Sequence, residues 1–298
     1  MPWARQLAGT RCTGLAIAMM ICVIWAVMWT TLPVFKASDG TAYALHGPQG
    51  APAVVLIHGL GLSSQFWEAH LPALSARYRV LTYDLFGHET SAAAREDLSL
   101  KVFSEQISGM LQETALGPAH LVGFSIGGMI NRRFAMDHPD MLRSLVIVNS
   151  PHDRGTDMQA AVEERARKAL DKGAMATMAA ALDRWFTPEF LTSGTDAPAR
   201  VTDWRLAADP VSYGQSAWVL AHGVRELIRP SPAIRHPALV ITCENDTGST
   251  PDMSHEIASE IAGAQSLIVP KLKHLGMMED PEAFTAPILK FLNAQPFS

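Results

Sequence analysis

The sequence predicts a doubly wound, mostly parallel α/β sheet with an inserted helical cap and an N-terminal transmembrane helix. Three observations carry this. Six short, apolar, β-branched runs recur along the chain, and they are too apolar for strands with one wet face. Helical patterns separate them, and alternation of strand and helix is the mark of a parallel sheet. The alternation stops once, between residues 152 and 235, where only helical patterns are found.

The amino end comes first. Residues 1–36 carry Arg5 and Arg11 and then no charge until Lys36. The apolar stretch Leu15 to Leu32 suits a helix crossing a bilayer, which needs roughly 17–25 residues. It is longer than a secretory apolar region of roughly 7–15 residues, and no small-x-small cleavage site follows Trp29. Trp25 and Trp29 suit an interfacial belt, and the two arginines place the amino end in the cytoplasm. The expectation is a membrane anchor with the catalytic part periplasmic or otherwise extracytoplasmic; a secreted form after signal cleavage is the alternative.

After the anchor, "FKASDGTAYALHG" has an Asp39-Gly40 turn between short alternating runs, a hairpin signature. The six apolar runs are Ala53–Gly59, Arg79–Asp84, Ala119–Gly123, Ser144–Ser150, Ala238–Cys243 and Gln265–Pro270. Helical patterns cover Ser64–Ala76, Ser99–Thr114, Ile126–Asp137, Pro251–Ile261 and Pro281–Leu292. Residues 37–151 and 236–298 thus form the core. Residues 152–235 form the cap, with helical segments at Met158–Lys172, Ala174–Trp185, Ala197–Ala207 and Tyr213–Ala221, punctuated by prolines.

Composition excludes some functions. A formal charge of −5 without any basic run argues against a nucleic-acid footprint. Cys12 and Cys22 lie in or beside the anchor, so Cys243 has no partner for a disulfide in the body. "HEIAS" at His255 lacks the second histidine of a zinc motif, and no phosphate loop or dinucleotide fingerprint is present. No metal or cofactor is expected.

The chemistry is centred on "HLVGFSIGGMINRRFAMDHP". Gly123-Phe124-Ser125-Ile126-Gly127 follows a predicted strand and opens a predicted helix. That context makes a G-x-S-x-G match a nucleophile on a strained turn, with glycines where side chains must be absent. A serine needs a base. His274 lies in the loop after the last strand, and Asp246 lies in the loop after the strand before it. The chain order Ser, Asp, His suits this sheet. Glu244 and Asp252 compete with Asp246; Glu244 lies closer to its strand, and Asp252 suits the start of the next helix. The oxyanion donors are expected at the backbone N–H of Ile126 and of Leu60, in the loop "HGLG". His58 is expected to tie loops together rather than to act as base.

"HGLG", "YDLFGHETS", "GFSIGG", "ENDTGSTP" and "HLGMMEDPEAF", in that order, resemble the α/β-hydrolase superfamily over nearly all of the chain after the anchor. "RWFTPEF" and "TPDMSHEIASEIAGAQ" look like the branch of 3-oxoadipate enol-lactonases and carboxylesterases. The resemblance implies a serine hydrolase for carboxylic esters or lactones, with Trp185 and Leu275 against the substrate. Two positions depart from the family's usual pattern: Gly87-His88-Glu89 stands where Gly-His-Gly is common, and Cys243 where glycine is. On the same fold, a C–C bond hydrolase, a perhydrolase or an acyltransferase is the alternative. A membrane-tethered, non-catalytic binding protein is the reading of another class.

Overall fold

The structure is a computed structural model and describes residues 33–296. The anchor expected from the first residues lies outside them. Among the described residues no helix is long and apolar enough to cross a membrane.

Eight strands form one sheet in the order β1-β2-β4-β3-β5-β6-β7-β8. They are β1 (Phe35–Lys36), β2 (Ala42–His46), β3 (Ala53–Ile57), β4 (Arg79–Tyr83), β5 (Ala119–Phe124), β6 (Leu142–Val148), β7 (Ala238–Cys243) and β8 (Gln265–Val269). The first two make an antiparallel hairpin that pairs with β4; every other pairing is parallel. The Asp39 carboxylate accepts from the Thr41 N–H at 2.8 Å and Gly40 has φ of 90°, so the expected turn is made by these two residues.

β3, β5 and β7 are buried at every position, as strands covered on both faces must be. One face packs α2 (Leu100–Glu113), α3 (Ile126–Asp137) and α9 (Pro251–Ser259). Val55 and Ile57 of β3 share a buried cluster there with Phe103, Ile130 and Ile257. Val54 and Leu56 alternate to the other face, which carries α1 (Leu71–Ser75) and α11 (Glu282–Asn293), joined by a bond of 2.7 Å between His70 Nδ1 and Thr285 Oγ1.

Residues 64–76 are not one helix. A 3₁₀ turn, Ser64–Trp67, is followed after a break by α1. Pro72 lacks an N–H and is tolerated only in a first turn, so the helix restarts just before it.

Between β6 and β7, among the described residues, the chain makes helices and no strand. These are α4 (Gly155–Lys172), α5 (Met178–Trp185), α6 (Pro188–Leu191), α7 (Ala197–Ala207) and α8 (Pro210–His222), with 3₁₀ turns at 174–177 and 223–227. α4 packs along α8 through small residues, with Ala166, Ala169, Ala217 and Ala221 buried between them. α10 (Gly276–Glu279) completes the set, between β8 and α11.

Candidate active site

Ser125 stands between the end of β5 and the first residue of α3, with φ of 57°. A positive φ is costly for a residue with a Cβ, and such strain persists only where neighbours impose it. The neighbours are tight. A Cβ on Gly123 would lie 2.2 Å from the Gly127 carbonyl oxygen, and one on Gly127 would lie 2.4 Å from that of Ile57. The Ser125 N–H is held by the Val148 carbonyl at 2.8 Å. Glycine is therefore required on both sides for the strand to turn into the helix this sharply.

Ser125 Oγ lies 3.2 Å from His274 Nε2. His274 Nδ1 lies 2.6 Å from Asp246 Oδ2. The other carboxylate oxygen of Asp246 accepts from the N–H groups of Gly248 and Ser249 at 2.8 and 3.0 Å, so the group is locked in place and nearly fully buried. Glu244 instead accepts from the Lys271 N–H at 2.8 Å. Asp252 sits in the first turn of α9, where Thr250 supplies the cap. The three expected residues thus come together and their two acidic competitors do not.

His274 is held from behind by Asn149. This residue follows β6 with φ of 45°, a region asparagine tolerates better than most. Its side-chain amide donates to the His274 carbonyl at 2.6 Å, and its oxygen accepts from the Cys243 N–H at 3.0 Å. Burial pushes the Cys243 thiol up to about 12, so it is an inert packing group.

Leu60 lines the same cavity as Ser125, and Ile126 follows Ser125 in the chain. Ile126 is the first residue of α3, so its N–H has no partner within the helix. The loop holding Leu60 is set by two histidines acting reciprocally. His58, after β3, accepts from the Leu85 N–H at 3.0 Å; His88, after β4, accepts from the Gly61 N–H at 3.1 Å. Each ring's other nitrogen donates to a carbonyl, of Gly59 and of Phe86 respectively. Burial lowers His58 to about 4 and His88 to about 3, so both stay neutral. His58 thus has the loop-tying contacts expected of it, and His88, which carried no role in the sequence, completes the pair.

A cavity of ≈ 130 Å³ opens above Ser125, with an apolar wall that includes Leu60, Leu62, Phe124, Val162, Trp185 and Leu275. The Trp185 ring lies 6.4 Å from that of His274, and its carbonyl accepts from the Leu275 N–H at 2.8 Å. A cavity of about 150 Å³ holds one benzene ring, so the space suits a small acyl group or lactone ring. Among the described residues no group of three or more His, Cys, Asp or Glu could hold a metal ion.

Residues 54–286 match the alpha/beta hydrolase family, and the chain belongs to it. It is an enzyme of the serine-hydrolase type, and its similarity runs to the enol-lactonase and carboxylesterase branch. The (E)-2-((N-methylformamido)methylene)succinate hydrolase of Acinetobacter baylyi is 26% identical over 260 residues, which is 87% of this chain and 97% of that one. The enol-lactonase from Burkholderia xenovorans LB400 has a crystal structure that superposes with a TM-score of 0.80 at 28% identity, covering 88% of this chain and 100% of that one. A hydrolase from Pseudomonas aeruginosa PA01 superposes at 0.79 with 29% identity, covering 89% and 99%.

Proposed function

We propose that this enzyme cleaves small carboxylic esters or lactones through an acyl-serine intermediate. The observation that carries the reading is the chain of contacts from Ser125 through His274 to Asp246. Ser125 Oγ attacks the carbonyl carbon while His274 Nε2 takes its proton. Asp246 holds the Nδ1–H tautomer and stabilises the imidazolium. The N–H groups of Ile126 and Leu60 receive the oxyanion. Collapse breaks the bond to the alcohol oxygen, which takes the proton from His274. In a lactone that alcohol stays tethered to the acyl group. Water then attacks the acyl-serine while His274 again removes a proton; collapse breaks the bond to Ser125 Oγ, which takes that proton from His274, and the acid is released.

In this reading residues 152–235 are a cap that closes over Ser125, with Trp185 and Leu275 as substrate contacts. Residues 1–36 tether the enzyme to a membrane and put its body on the extracytoplasmic side. Support for the tether is the length of the apolar stretch and the two arginines ahead of it.

The test is Ser125→Ala assayed on 4-nitrophenyl butyrate, together with labelling by a fluorophosphonate probe. The expected result is a loss of at least about 10³-fold in kcat and no labelling. Undiminished turnover by the variant ends the proposal.

A further inference from the structure

The loop after β8 carries His274 and is tied from two sides. One set of partners belongs to the loops after β6 and β7. There the Glu244 carboxylate accepts from the Lys271 N–H, the Asn245 side-chain amide donates to the Lys271 carbonyl at 2.9 Å, and that of Asn149 donates to the His274 carbonyl. The other set belongs to the insertion between β6 and β7. Lys273 Nζ donates to the Asp183 carbonyl at 2.7 Å, and the Leu275 N–H donates to the Trp185 carbonyl at 2.8 Å. Asp183 and Trp185 lie in the last turn of α5, where carbonyls lack donors within the helix and a lysine is favourable.

The two sets meet on one peptide unit. Its oxygen, from His274, is held by Asn149, and its N–H, from Leu275, is held by Trp185. A peptide unit is planar, so gripping it at both ends fixes the plane through which the His274 backbone leaves. The Trp185 carbonyl needs an anchor in its turn. After α5 ends, Phe186 is extended, and its buried ring stacks on Phe190 at 5.3 Å. Across one extended residue, a carbonyl and the second N–H beyond it face the same side. The Thr187 N–H is therefore turned towards the same stretch of chain, and Glu279 Oε1 accepts from it at 2.9 Å. Glu279 Oε2 accepts from the Thr187 hydroxyl at 2.5 Å, while the hydroxyl oxygen accepts from the Phe190 N–H at 3.3 Å and caps α6. Glu279 is the last residue of α10, the turn that begins two positions after His274. A carboxylate suits this place because its two oxygens meet both donors of one threonine, and bonds to a charged acceptor are the stronger kind.

We propose that Glu279 and Thr187 are positioning residues: their clip docks residues 183–187 of the insertion on the loop after β8, and His274 is correctly placed only while that segment is docked. This rests on the hydrolase reading above, in which His274 moves a proton in both acylation and deacylation. The clip acts through the Trp185 carbonyl on the peptide after His274, so its effect falls on turnover rather than on binding.

The experiment measures kcat and KM for 4-nitrophenyl butyrate on the full chain, per active site counted by fluorophosphonate labelling to completion. Glu279→Met removes both acceptors and should lower kcat at least about tenfold with KM within about threefold of wild type. Thr187→Val removes the hydroxyl donor and should lower kcat at least about threefold. The double variant should be no slower than Glu279→Met alone, as residues acting through one contact require. Thr187→Ser, which keeps both donors, should rescue kcat to at least about half the wild-type value. If Glu279→Met does not fold, the contrast between Thr187→Val and Thr187→Ser decides. Unchanged kcat per labelled site in Glu279→Met and Thr187→Val, whatever their melting temperatures, overturns the clip; so does a raised KM with kcat intact, which would make the contact a cavity-wall support only. Absence of both turnover and labelling in the wild-type enzyme overturns the hydrolase reading itself.

Discussion

Lowering the pH should unfold this protein before most surface charges have been neutralised. His58, His70 and His88 are almost wholly buried, and burial holds them at about 4, about 4 and about 3, against 6.5 for a free imidazole. Their folded values lie below the unfolded one. Stability is therefore greatest above pH 6.5, where both states are neutral, and it falls as pH drops towards 4, because only the unfolded chain takes up protons. At pH 5 the solution lies about 1.5 units below the ordinary imidazole value, and each unit is worth about 1.36 kcal/mol. Each of the three then contributes a loss of about 2 kcal/mol, or about 6 together, against a typical total stability of roughly 5–15 kcal/mol. His46 and His120, also held at about 4, add to this. Asp84 and Glu89 work the other way, since burial pushes their carboxyls up, but they are outnumbered. The assay is urea unfolding followed by tryptophan fluorescence at pH 7.5, 6 and 5. A loss of several kcal/mol, or outright unfolding at pH 5, is expected. His88→Asn, which keeps an acceptor for the Gly61 N–H, should flatten the slope by up to about 1.36 kcal/mol per pH unit. A free energy constant within about 1 kcal/mol from pH 7.5 to 5 refutes the reasoning.

Two further predictions concern the site. Gly127→Ala should abolish ester hydrolysis and lower stability by about 1–3 kcal/mol, because its Cβ meets backbone that cannot give way; a fully active variant with unchanged melting temperature would contradict this. Asn149→Leu should lower kcat by about 10–100-fold with little change in KM, through misplacement of the base loop, and steady-state kinetics on a neutral nitrophenyl ester will test it.

Much of the sheet could be read before any coordinates, because its signals are local. The apolar run of β7 and the periodic pattern of α3 coincide with the observed elements at both ends. Ser125, Asp246 and His274 could be singled out because Ser125 directly follows a strand and the other two lie in the short loops after β7 and β8, which apolar runs mark in the sequence. Residues 64–76 were misread because apolar spacing alone ignores what Pro72 does to a helix interior. Asn149 was invisible for a different reason: its partners Cys243 and His274 lie 94 and 125 positions away.

Ser125, Asp246 and His274, which contact one another, follow strands of the sheet, while Val162, Ala166, Trp185 and Ala217 of the cavity wall belong to helices of a single continuous insertion between β6 and β7. Two inheritances are thereby kept apart. An exchange of that one insertion with a cousin's could alter which molecules are admitted while leaving the machinery of hydrolysis as it was, provided the replacement also holds the loop after β8. One sheet can in this way supply a whole lineage of enzymes with differing diets.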